Sequence, residues 1–247
     1  GAAAPARQLG GDEAAWPECP AGLGSRSRPS EGRAMRQAAA ACVGSGLTSV
    51  PGYYPNPCRA SQTEWAVSHH GYTAVDAMTT YPTPAQIAAH ELEGPYTGAG
   101  LLTKLANTGY AQAQFNVASM AEAGLVSPFV WVDVESYRIA PWSKSTAGNQ
   151  AVLNGALRGY RAAGLKVGVY STPYLWKGVV GSARYGLPEW RTAGPRGKSV
   201  AQDRCSGPSF QGGPAVLSQW TTKPADYDIT CPGYSTPSAL AVYFHKY

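Results

Sequence analysis

Charge is scarce in this chain. Asp, Glu, Lys and Arg together make up 14% of its 247 residues, well under the quarter usual in soluble domains. Phenylalanine is sparse too, with 4 copies against 15 tyrosines and 7 tryptophans. No apolar run approaches the ~20 residues that a membrane-spanning helix needs, so no membrane partner is expected. The cysteines, Cys19, Cys42, Cys58, Cys205 and Cys231, include no C-x-x-C spacing, and no histidine pair completes a zinc site. Neither a metal nor a cofactor is expected. The G-x-S-x-G elbow and the S-x-x-K motif are both missing, which argues against a serine nucleophile. Gly98-Ala99-Gly100 lacks the third glycine and the preceding strand of a nucleotide loop. His69 and His70 are adjacent and diverge on either a strand or a helix, while His90 and His245 stand alone, so all four are assigned surface or packing roles.

What is present describes a globular chain with long connections. Its length suits one large domain with a substantial core. The 29 glycines and 20 prolines indicate many loops. Tyr and Trp carry polar tips and suit partly wet surfaces. The net charge is +5, with basic clusters at Arg26, Arg28, Arg33 and Arg36 and at Arg191, Arg196, Lys198 and Arg204. Neither cluster forms the aromatic-interleaved stripe of a nucleic-acid binder; a mild attraction to an acidic polymer is compatible with both. Several cysteines sit beside prolines in loops, as disulfide anchors of exported proteins do. The expected pairs are Cys19 with Cys58 and Cys205 with Cys231, leaving Cys42 a buried thiol in the apolar 38–43 stretch. The opening Gly-Ala-Ala-Ala-Pro-Ala has no charged or apolar signal region. It reads as the start of a mature secreted form, with residues 1–10 a flexible leader and 11–247 a single domain, expected to be a monomer.

Helical and extended patterns alternate along the chain. Short extended pieces are expected at 14–16 and 39–43. Tyr72–Met78 reads as a strand, broken by Tyr81-Pro82-Thr83-Pro84. The 107–123 segment repeats Ala111, Phe115, Ala118 and Glu122 at helical spacing and stops at Gly124. The clearest helix, 148–163, places Val152, Leu153, Ala156, Leu157 and Tyr160 on one face before Gly164. Strands follow at 166–170 and 215–220. Strand, long helix, strand at this spacing is a parallel crossover. Its repetition without a nucleotide loop predicts an α/β fold: a TIM-like (β/α) barrel, irregular or incomplete, in which chemistry gathers where the strands end. The stretch from Pro82 to Asn107 is expected to wall one side of a cleft.

Between those helices lies Trp131-Val132-Asp133-Val134-Glu135, closing an apolar run that begins at Val130. Alternation points Asp133 and Glu135 one way and Val132 and Val134 the other, with the two acidic Cα atoms roughly 7 Å apart. Paired carboxylates at that separation can work on either side of a glycosidic bond, and they are costly to bury together without a use. A strand end at which Asp133 caps a turn and Glu135 meets an arginine is the structural alternative. Other expected strand ends add Asp76, Tyr170-Ser171-Thr172 and Gln219-Trp220, with Asp226-Tyr227-Asp228 soon after.

In this order the motifs resemble the lysozymes of glycoside hydrolase family 25, the Chalaropsis-type muramidases, and the hydrolase-like domains related to them. Trp131–Glu135 is similar to the family's D-x-E strand, and Gly168-Val169-Tyr170-Ser171-Thr172 with Trp176 to its next strand. Leu187-Pro188-Glu189-Trp190 lies where the family has its "W-x-A" segment. Leu217-Ser218-Gln219-Trp220 followed by Asp226-Tyr227-Asp228 looks like its terminal signature. The resemblance covers roughly residues 125–231. Trp16-Pro17-x-Cys19 and Asn56-Pro57-Cys58 look closer to the secreted, disulfide-containing relatives. The implied function is a secreted hydrolase of cell-wall or other microbial polysaccharide, peptidoglycan first. Glu135 would be the general acid, with a raised pKa, and Asp133 the ionised partner. Asp228 or Asp226 would orient substrate or water, with Asp12, Glu13 and Asp76 as further acidic groups. Tyr170, Trp176, Trp190 and Trp220 would meet sugar faces, and Gln219 sugar hydroxyls. The alternative is a non-catalytic, carbohydrate-binding or cell-wall-associated module on the same fold.

Overall fold

The computed structural model describes residues 8–9, 42–46, 48–50, 53–55, 59–68, 70, 72–136, 141–222 and 225–247. The chain opens with short strands β1 (Gln8–Leu9), β2 (Cys42–Gly46), β3 (Thr48–Val50) and β4 (Tyr54–Pro55), then helix α1 (Arg59–Ser68). Strand β5 (Tyr72–Met78) begins the regular part. Helices α2 (Pro84–His90) and α3 (Leu101–Glu122) lead to β6 (Phe129–Asp133), and α4 (Thr146–Ala162) leads to β7 (Lys166–Ser171). Helix α5 (Pro173–Val180) then precedes β8 (Glu189–Thr192), and α6 (Lys198–Ser206) precedes β9 (Ala215–Thr222). Strand β10 (Ala225–Thr230), α7 (Pro237–Tyr243) and β11 (His245–Lys246) complete it.

One curled nine-stranded sheet carries the order β1-β10-β9-β8-β7-β6-β5-β11, with β2 also paired to β5. Strands β2 and β5 to β9 are parallel to one another, whereas β10 pairs antiparallel with β9 and β11 with β5. This is the incomplete TIM-like α/β fold that the crossover pattern predicts. Of the expected leader, Gln8–Leu9 forms β1 against β10; the rest of residues 1–10, and the extended piece expected at 14–16, lie outside the described residues.

The local causes are visible in the caps. Gly124 and Gly164, at φ +64° and +83°, end the two long helices as their sequence positions suggest. The Ser145 hydroxyl accepts from Gly148 N–H at 3.1 Å and starts α4. Helix α3 begins at Leu101 rather than at Asn107. Asn107 is a buried tie and not a helix start: its side chain accepts from Tyr96 N–H and donates to the carbonyls of Glu91 and Tyr96. The 82–107 stretch therefore folds as α2, a tied loop and the first turns of α3.

Two apolar layers enclose the sheet. The outer one joins Val75, Ala77, Val130, Val132, Val134 and Val169 to Leu153, Leu157 and Tyr160 of α4. The inner one stacks Ala74, Phe129, Trp131 and Trp190 against Leu240, Tyr243 and Phe244 from the chain's end. Gly168 faces Trp131 across the ladder, and a Cβ there would stand 2.5 Å from the indole. Burial raises the Tyr160 phenol and pushes that of Tyr185, packed edge-on to Trp176, up to about 12, so both are neutral hydroxyls.

Helices α3 and α4 approach through glycine. A Cβ on Gly155 would sit 1.9 Å from the Ala106 carbonyl oxygen and 2.9 Å from Tyr110 N. Gly155→Ala would gain roughly 1 kcal/mol of helix propensity, but both obstacles are backbone and cannot rotate away. Overpacking of this kind costs about 1–3 kcal/mol or more, so a net loss of about 2 kcal/mol is expected in urea unfolding. An unchanged or higher midpoint would overturn this reading of the contact.

Cys205, in the last turn of α6, and Cys231, just past β10, form the expected disulfide, with Cα atoms 5.3 Å apart. Cys19 and Cys58 lie outside the described residues, as does the Cys42 side chain. On the outer face of β8, fully buried Glu189 pairs with Arg191 at 2.7 Å. Its other oxygen accepts from Ser209 Oγ, the backbone N–H groups of Phe210 and Gln211, and Gln211 Nε2. Arg191 Nη1 in turn donates to the Arg204 and Gly207 carbonyls. One ion pair thus holds the 204–211 loop on the sheet.

Candidate active site

The inner face becomes acidic and polar where the parallel strands end. Registers Asp76↔Trp131, Met78↔Asp133, Asp133↔Tyr170 and Tyr170↔Trp190 place these side chains on one face, since parity is kept across a ladder. Strand β9 adds Gln219, opposite Thr192, and the antiparallel β10 adds Asp228 opposite Gln219. Asp226 stands one pleat nearer the rim, opposite Thr221.

Asp133 ends β6, and the pairing runs one residue further, with Val134 N–H donating to the Tyr170 carbonyl at 3.0 Å. Val134 belongs to the outer core, and the ladder register puts Asp133 on the inner face. Asp133 is 8% exposed, and Glu135, beyond the end of the strand, is 4% exposed. Neighbouring groups fix the backbone here. Ser171 Oγ donates to the Val134 carbonyl at 2.7 Å, and Trp142 Nε1 to the Glu135 carbonyl at 3.0 Å.

Beside this pair two side-chain bonds cross the strands. Tyr170 Oη donates to Gln219 Oε1 at 2.6 Å. Trp190 Nε1 donates to Asp228 Oδ1 at 2.8 Å, and its ring meets Tyr170 and Trp131 edge-on. Hydrogen bonds to a carboxylate fix its direction as well as its energy. Asp133, Tyr170, Gln219, Asp228 and Trp190 therefore form one connected polar surface above an aromatic floor.

Two expectations are corrected. Trp176 and Trp220 do not face this surface. Trp176 packs in the outer core, with Nε1 donating to the Ala183 carbonyl. Trp220 follows Gln219 by one residue, so alternation turns it outward, where it packs with Ala193, Ala201 and Ile229 and stacks on Tyr227. Trp190 is on the inner face but buried, and serves as a buttress for Asp228. Asp12 and Glu13 lie outside the described residues. Thr192 lies beside Gln219 on the same face, and the signal for it in the sequence is its parity with Trp190. Among the described residues no group of three or more His, Cys, Asp or Glu could hold a metal, and no helix is long and apolar enough to cross a membrane.

The fold is that of the family 25 lysozymes. The muramidase from Acremonium alcalophilum superposes with a TM-score of 0.57 at 14% identity, covering 83% of this chain and 88% of that one. The family 25 lysozyme from Aspergillus fumigatus gives 0.56 at 16%, covering 82% and 88%. A bacterial lysozyme from Streptomyces coelicolor gives 0.55 at 17%, covering 83% and 86%.

In sequence, residues 101–191 match the family described as Lysozyme-like protein 1. That segment contains Asp133, Glu135, Tyr170 and Trp190. No protein of curated function matches the chain significantly.

Proposed function

We propose that the protein is an exported glycoside hydrolase of the muramidase type, cleaving the glycan strands of peptidoglycan. The observation that carries this reading is Asp133, which ends a strand within the lysozyme-like segment and shares one face with Tyr170, Gln219 and Asp228, with buried Glu135 just beyond it in the chain. The Cys205–Cys231 disulfide suits an oxidising compartment.

In this reading Glu135 donates its proton to the departing glycosidic oxygen. Asp133 stays ionised and stabilises the positive charge that develops on the sugar, directly or through a neighbouring N-acetyl group. Asp228, aimed by Trp190, orients substrate or water. Gln219, aimed by Tyr170, takes a sugar hydroxyl. Asp76 and Asp226 add negative potential along the same face.

The test is release of reducing ends from purified peptidoglycan, run beside a broad panel of microbial polysaccharides. Release from peptidoglycan above the rest of the panel is expected. Release from another glycan alone would replace the substrate. No release from any polymer, with retained binding, would replace the enzyme with a carbohydrate-binding module.

A further inference from the structure

The reaction above makes no use of the basic cluster Arg191, Arg196, Lys198 and Arg204. Two of these line a pocket at the rim, between the ends of β7 and β8 and the 204–210 loop. It is a shallow site open to solvent, and Thr172, Thr192, Gly207 and Pro208 complete much of its wall.

The groups in this pocket donate and hardly accept. Arg191, 6% exposed, uses Nε on Glu189 and Nη1 on two carbonyls, and its Nη2 has no partner among the described residues. Arg204 Nε is buried without a partner, and no carboxylate pairs with Arg204 among the described residues. The Thr172 and Thr192 hydroxyls each accept from a backbone N–H, of Leu175 and Gly194, which leaves their protons to give. The carbonyls of Arg204 and Gly207 are already occupied by Arg191. Thr172 also caps α5, whose positive dipole end opens here. Glu189 balances Arg191, so Arg204 leaves the pocket one positive charge in excess.

The pocket adjoins the polar surface, because Thr192 pairs with Gln219 and Thr172 follows β7. Tyr174, 85% exposed on the first turn of α5, follows the lining residue Pro173 in the chain. We propose that this pocket binds the anionic group, carboxylate or phosphate, of an acidic wall polymer lying along the site. The protein would thereby select acidic glycans over neutral ones. This inference rests on the glycan reading above.

Co-sedimentation separates the sources. The probes are peptidoglycan stripped of phosphate polymer, the same material with its stem-peptide carboxylates amidated, unstripped wall, and chitin. A carboxylate ligand predicts about tenfold weaker binding after amidation, and a phosphate ligand about tenfold weaker binding after stripping. Arg204→Gln keeps the backbone carbonyl that Arg191 uses, and is expected to reduce the acidic-to-neutral affinity ratio about tenfold, with Arg204→Lys restoring part of it. A wild-type ratio in Arg204→Gln, with folding verified by circular dichroism, overturns the proposal. If the wild type binds no polymer, the glycan reading fails on its own. Titration with inorganic phosphate, followed at the arginine Nε resonances, then decides the pocket: a shifted Arg204 signal supports it and an unmoved one ends it.

Discussion

Glu135→Gln is expected to lower the release of reducing ends from peptidoglycan by two to four orders of magnitude, the range that general acid catalysis contributes. Gln keeps the size of Glu but carries no transferable proton. Sedimentation with cell wall should survive, because the sugar contacts assigned to Gln219 and Tyr170 are untouched. Losing one such contact costs about tenfold, so the size of the effect separates a proton donor from a binding group. A residual rate within tenfold of wild type would remove Glu135 from the acid's role.

The largest stability effect is expected at Glu189. Glu189→Leu leaves Arg191 buried without its counter-charge and deprives Ser209, Phe210 and Gln211 of their acceptor. Breaking one side of a buried ion pair costs about 3–5 kcal/mol. Denaturant unfolding should show a loss in that range, and limited proteolysis should cut first within 204–211. A loss under 1 kcal/mol would mean that the loop is held by other means, the Cys205–Cys231 bridge foremost.

Much of the frame was legible from periodicity. Strand β5 matches its expected bounds, and β6, β7, β9 and α4 fall within a few residues of theirs, as does the end of α3, because each is a long apolar pattern ended by glycine or a polar cluster. Strand β8 was hidden because Glu189 and Arg191 alternate with Trp190 and look exposed. Their mutual pairing is what allows them to be buried, and a single sequence does not show a partner. Strand β10 was hidden by Asp226-Tyr227-Asp228, whose outward members are the apolar ones. Asp133, Tyr170, Gln219 and Asp228, each legible in the sequence as a group near a strand end, share one face by register. The tryptophans show why residue type alone misleads: Trp220 adjoins Gln219 on one strand and therefore faces away from it, and Trp176 lies on a helix with its ring in the outer core.

The antiparallel return of β10 ties one acidic group to arithmetic. Asp228 faces inward only while its pairing with Gln219 is kept, in a ladder that starts at Thr222 and Ala225. A slip of one residue in that register would turn every side chain on the strand to its other face. A slip of two would restore the facing and move the carboxylate by one pleat.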